Sequence, residues 1–141
     1  MSDHINHECG LALIRLLKPL EFYRKKYDTH TYGLNKLYLM LEKQHNRGQD
    51  GAGFASVKLN MRPGQRFMHR QRSANQNPIQ VIFNSSNQVV NHELKKTPDC
   101  SMNILKEKTP HVSELFLGHV RYGTFGKNSV DAVHPFLRQN N

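Results

Sequence analysis

Leu115-Phe116-Leu117-Gly118-His119-Val120-Arg121-Tyr122 is the stretch on which the fold turns. It reads as a buried strand, an apolar run closed by Gly123-Thr124-Phe125-Gly126, where two glycines mark a loop. Arg121 interrupts the apolar run. A charged side chain in a buried strand requires a partner, so a structural ion pair and an anion site both fit it.

Outward from this strand the chain alternates between element types. Leu11 to Leu17 is a second dense apolar run and a second strand. Residues 18–31, opened by Pro19, read as a polar insertion. Leu34, Leu37, Tyr38 and Leu41 then fall at helical spacing, which predicts a helix from about Tyr32 to Gln44. Asn46 to Gly53 carries three glycines in eight residues and reads as a loop that bends tightly or is closely approached. Phe54 to Leu59 resumes as a strand, Met61 to Gly64 is a turn, and Arg66 to Arg72 is the returning strand of a hairpin. Pro78 opens a helix whose stripe of Ile79, Ile82, Phe83, Val89, Val90 and Leu94 spans residues 79–96. Residues 97–113, with Pro98 and Pro110, read as an irregular excursion. The order β, α, β, β, α, β predicts a mixed α+β fold.

A chain of 141 residues suits one domain, and a charged fraction of 22% with recurrent apolar runs excludes a disordered class. The net charge of +9 raises nucleic acid as a partner. Residues 1–72 carry 13 Lys and Arg against 6 acids, largely in Arg24-Lys25-Lys26 and in Arg62, Arg66, Arg70 and Arg72. No aromatic interleaving accompanies them, so a solvated basic surface comes first, an anionic small molecule or phosphate second and nucleic acid last. Two cysteines make no disulfide framework and no iron–sulfur ligand set, and no apolar stretch spans a membrane. Residues 1–8 lack the pattern of a secretory signal, and a cytoplasmic setting is expected.

Three segments set reactive or ionic side chains beside glycine at the ends of elements: Cys9-Gly10, Arg47-Gly48-Gln49-Asp50, and Gly118 to Gly123. Each has a plain alternative. A lone cysteine is commonly a small buried hydrophobe, and Arg47 could simply pair with Asp50. A phosphate loop is rejected, because Arg121 and Asn128 occupy positions where that motif needs Gly and Ser or Thr. A zinc site at His4, His7 and Cys9 lacks a fourth ligand at suitable spacing.

Taken in order, Cys9-Gly10, the run LMLEKQHNRGQDGAG over residues 39–53, and LGHVRYGTFGKNSVDAVHPFL over residues 117–137 resemble the glutamine amidotransferases of the N-terminal-nucleophile class. The amidophosphoribosyltransferase branch is the nearest likeness. Amidotransferases that make glucosamine 6-phosphate or asparagine share the cysteine and the GH-x-R element. The resemblance implies a four-layer αββα sandwich, incomplete in this chain, with residues 9–141 as the front of the domain. It implies that glutamine is hydrolysed through a thioester on Cys9 to supply ammonia for phosphoribosylamine formation in purine synthesis. The α-amino group of Cys9 would be the base: an amine pKa near ~8 lies close to a thiol pKa near ~8.5, so transfer is facile. Arg121 would hold the glutamine α-carboxylate, for which a forked guanidinium suits well. Arg47 would help position the nucleophile, and Tyr122, Gly123 and Thr124 would line the glutamine pocket. No metal or cofactor is implied in this segment; Mg2+ and phosphoribosyl pyrophosphate would belong to a transferase domain absent here. Glutamine is the implied partner, with no nucleic acid, no membrane, and a homo-oligomer possible for the full-length protein. The competing readings are another amidotransferase of this class and a small basic nucleic-acid-binding module.

The chain departs from the family pattern in three ways. Cys9 follows an eight-residue leader, residues 1–8, which must be removed to free its amine. Asn46 is an extra residue between His45 and Arg47, which either only lengthens the turn or alters the aim of Arg47. The family's oxyanion Asn-Gly segment and a later acidic residue lie beyond residue 141. Since each oxyanion donor is worth roughly ~10²–10³ in rate, the fragment alone is expected to be inactive or nearly so.

Overall fold

The computed structural model describes residues 8–47, 49–123 and 128–138, with only the backbone at Arg47. Among these residues the fold is α+β: four antiparallel strands in one sheet and four helices. Strand β1 is Gly10–Arg15, β2 is Gly51–Val57, β3 is Met68–Ser73 and β4 is Leu115–Arg121. Their order across the sheet is β1-β4-β2-β3. The decisive strand β4 is therefore central, hydrogen-bonded to β1 on one side and β2 on the other.

Helix α1 is Leu20–Tyr27, α2 is Tyr32–Lys43, α3 is Pro78–Lys96 and α4 is Met102–Lys108. The helical spacing read in the sequence puts Leu34, Leu37 and Leu41 on the buried face of α2. Ile79, Ile82, Phe83 and Val90 do the same on α3, whose first residue is Pro78. Their apolar faces meet Ala12, Ala52, Phe54, Phe116 and Val120 in one cluster. Phe54 stacks on Phe83 with ring centroids 5.1 Å apart. Gly118 lies under α2, where an added Cβ would stand 2.9 Å from the Leu37 side chain. Here glycine is needed for close helix–sheet approach rather than for a turn.

The structure corrects three local expectations. The segment 18–31 is not an irregular insertion: it holds α1, which buries Leu20 and stacks Tyr23 on Tyr32 at 4.8 Å. The excursion 97–113 holds α4, where Ser101 caps the amide of Ile104 and Met102 and Leu105 reach a second cluster with Leu16, Leu20 and Val90. The expected loop 46–53 ends early, because β2 already begins at Gly51. The extra Asn46 sits within a short 3-10 turn, His45–Arg47, that closes α2.

Residues 128–138 return over the sheet face opposite α2 and α3. Val133 sits against Gly51 and the His134 backbone crosses Gly53, whose absent side chain makes the room. Arg72 donates to the Val133 carbonyl at 2.8 Å and Arg70 to that of Pro135 at 3.4 Å, binding this strap to β3. The His134–Pro135 peptide is cis.

Candidate functional site

The β1–β4 register brings the first and last sequence segments together. Gly10, the first residue of β1, pairs with Val120, so Cys9, just before the strand, comes beside the end of β4 at Arg121 and Tyr122. The Cys9 thiol is free and exposed. Its Sγ lies 3.5 Å from the Tyr122 amide nitrogen, which donates to it, and 4.0 Å from the Tyr122 carbonyl oxygen. A nucleophile is thus held at the open end of the sheet, beside the backbone where β4 turns into its glycine loop.

Gly10 fixes that position. A Cβ there would collide with the Gln44 side chain and with Val120. Gln44, just past α2, donates its Nε2 to the Leu11 carbonyl at 3.0 Å, which ties the start of β1 to the end of the helix. The loop side is fixed by Asp50. Its Oδ2 accepts the Gly123 amide at 2.8 Å, while its own amide donates to the Arg121 carbonyl at 3.0 Å. Asp50 therefore spans the β2–β4 end, a clasp that was not foreseen; the expected Arg47–Asp50 pair involves a side chain outside the described residues. Its signal was its place between a glycine loop and a strand.

Arg121 is buried, with 7% of its surface exposed, and its Nη1 donates to Asn128 Oδ1 at 3.4 Å. Next on the same face of β4 is His119, buried at 6% exposure, whose Nδ1 has no acceptor or donor among the described residues. Its ring lies 4.9 Å from that of His134. Burial first, then the neighbouring His134 and Arg121, lower its pKa to about 4. The imidazole is therefore neutral at neutral pH, a polar but uncharged wall behind Arg121. Tyr122 is half-buried and Gly123 exposed at the loop entrance. The Arg47 side chain, Gly48 and Thr124 lie outside the described residues, as do His4 and His7 of the rejected zinc reading.

Chemically, this end combines an exposed thiol, a backbone donor at the thiol, a buried guanidinium on the adjoining pair, and a glycine whose amide a carboxylate holds in place. Among the described residues no group of three metal-ligating side chains occurs. No described helix is long and apolar enough to cross a membrane. Comparison with protein-family models, with curated proteins and with solved structures finds no match to this chain.

Proposed function

We propose that this chain is the front part of a glutamine-hydrolysing amidotransferase domain, with Cys9 as nucleophile and Arg121 as the group that grips the substrate carboxylate. The observation that carries the proposal is the Cys9 thiol held against the backbone of Tyr122, the residue after Arg121, two segments far apart in the chain that the sequence alone linked only by resemblance. The thiolate of Cys9 would attack the side-chain amide carbon of glutamine, its proton passing to the cysteine's own free amine. That proton then leaves with the amide nitrogen as ammonia, and water releases glutamate from the thioester. Tyr122 and Gly123 would line the pocket, and the neutral His119 would shape its floor without competing for the carboxylate. The layered sandwich belongs to the same proposal: a second sheet would pack on the open face of the first. Delivery of the ammonia to a phosphoribosyl acceptor, Mg2+ with it, belongs to regions outside this chain.

The test is covalent. Protein beginning at Cys9 is treated with an electrophilic analogue of glutamine, and the modified residue is located by peptide mass. Labelling at Cys9, slowed by added glutamine and lost in Cys9→Ala, is the expected outcome. Arg121→Lys should weaken the protection by glutamine, since lysine keeps the charge but not the fork. Equal labelling of Cys100, indifferent to glutamine, would contradict the assignment.

A further inference from the structure

At the other end of β2 the chain leaves the sheet through Lys58 and returns to β3 through a loop that includes Gly64, at φ 84°. Val57 pairs with Leu115 and Gly51 with Arg121, so this end lies six residues, about 20 Å of strand, from the candidate glutamine site. A cavity of about 510 Å³ opens there, walled by Lys58, Arg62, Arg66, Phe67 and Met68, and no acidic residue lines it.

Lys58 sets this cavity apart from an ordinary basic surface. It is only 4% exposed, yet among the described residues no acceptor lies within hydrogen-bond reach of its ammonium. Glu114, the acid most felt by Lys58, is already engaged. One of its oxygens takes Lys106 and the other takes the Leu59 amide at 3.0 Å. Burial, then Lys106, lower the Lys58 pKa to about 8; Glu114 opposes the shift, and Arg66 adds to it. The ammonium reaches the cavity with no side-chain acceptor beside it, so an anion entering there gains a charge-assisted contact. Arg62 gives one nitrogen to Glu107 at 2.9 Å, and Arg66 gives Nε to the Met68 carbonyl at 3.2 Å. A guanidinium has five N–H donors, so both keep others for a ligand. The rim is apolar: Phe67 and Met68 are exposed large side chains beside the cations.

We propose that this cavity binds a small organic phosphate, its phosphate on Lys58, Arg62 and Arg66 and a flat apolar body against Phe67. Three cations lining one cavity, only Arg62 of them paired with an acid, suit a dianion, and the aromatic rim gives its organic part a surface to cover. The site is independent of the glutamine chemistry at the opposite end of the sheet.

Calorimetric titration of the whole chain with phenyl phosphate, with inorganic phosphate in parallel, tests this. Saturable binding is expected, tighter for phenyl phosphate than for phosphate alone. Lys58→Met should weaken it about tenfold or more, the loss of one charge-assisted contact, and Arg66→Gln by a smaller factor. Lys95→Met, which removes an exposed charge on α3, should leave it unchanged. Arg66 is exposed, so its variant carries the test even where Lys58→Met fails to fold. Absence of saturable binding overturns the proposal, and so does equal loss in Lys95→Met and Arg66→Gln. Equal affinity for both probes would replace the organic phosphate with free phosphate.

Discussion

The two faces of the sheet differ in what covers them. On one, Phe116, Gly118 and Val120 of β4 alternate beneath α2 and α3, and Phe54, Phe116 and Val120 are almost fully buried. On the other, Leu117, His119 and Arg121 alternate, and their neighbours Leu11 and Leu13 on β1 remain 67% and 65% exposed. Over β2 and β3 on that second face runs the strap 128–138, its His134 reaching His119 of β4. A period of two thus separates a face specialised for stability from one that carries polar groups at its end. The candidate chemistry belongs to the second face, where a neutral histidine and a guanidinium are held by a rigid scaffold built on the first.

The largest expected effect breaks the packed face. Phe54→Ala removes a ring that touches both Phe83 and His111, and should cost about 3–5 kcal/mol in urea denaturation. Gly53→Ala attacks the strapped half of the other face. The new methyl meets the His134 carbonyl, so the strap must shift, at a cost of about 1–3 kcal/mol. Protease sensitivity within residues 128–138 should rise with it. Leu13→Ala, on the exposed part, should change stability by less than about 0.5 kcal/mol. A loss as large as that of Phe54→Ala would show that the open face is covered in solution.

Acid distinguishes the faces less sharply, since buried histidines lie on both. His111 on the packed side, hydrogen-bonded through Nδ1 to Ser56 at 2.8 Å, is lowered from 6.5 to about 3 by burial, then His69 and Lys58. His119 on the strapped side is lowered to about 4. Both folded values lie below the unfolded one, so the unfolded chain takes up these protons first. Stability is then full above about pH 6.5 and falls as pH drops toward about 4. The urea midpoint should follow that course, and His111→Gln should make it shallower. A midpoint constant from pH 7 to 4 would contradict the buried, neutral assignment.

The sheet and the two long helices were legible because their signals are local and strong: apolar runs at β1 and β4, and helical stripes on α2 and α3. Helices α1 and α4 were hidden by polarity. Each buries only one or two large side chains, Leu20 in one and Met102 with Leu105 in the other, too few to make a stripe. At Gly51 and Gly53 glycine was read as loop, yet it serves strand residues approached by Val133 and His134. Closeness to another segment was foreseen; which segment was not, because that contact is non-local. Cys9 and Arg121 were legible as reactive and ionic residue types beside glycine at the ends of apolar runs. Asp50, Asn128 and His119 were not, since their roles depend on register across the sheet.

The account rests on Cys9 acting as both nucleophile and, through its own α-amino group, base. While residues 1–8 remain attached, its nitrogen is a peptide amide with no basic lone pair. The direct measurement is the intact mass of full-length protein that hydrolyses glutamine. The prediction is a mature N-terminus at Cys9-Gly10, with hydrolysis lost in Cys9→Ala; an active enzyme that still carries residues 1–8 would contradict it.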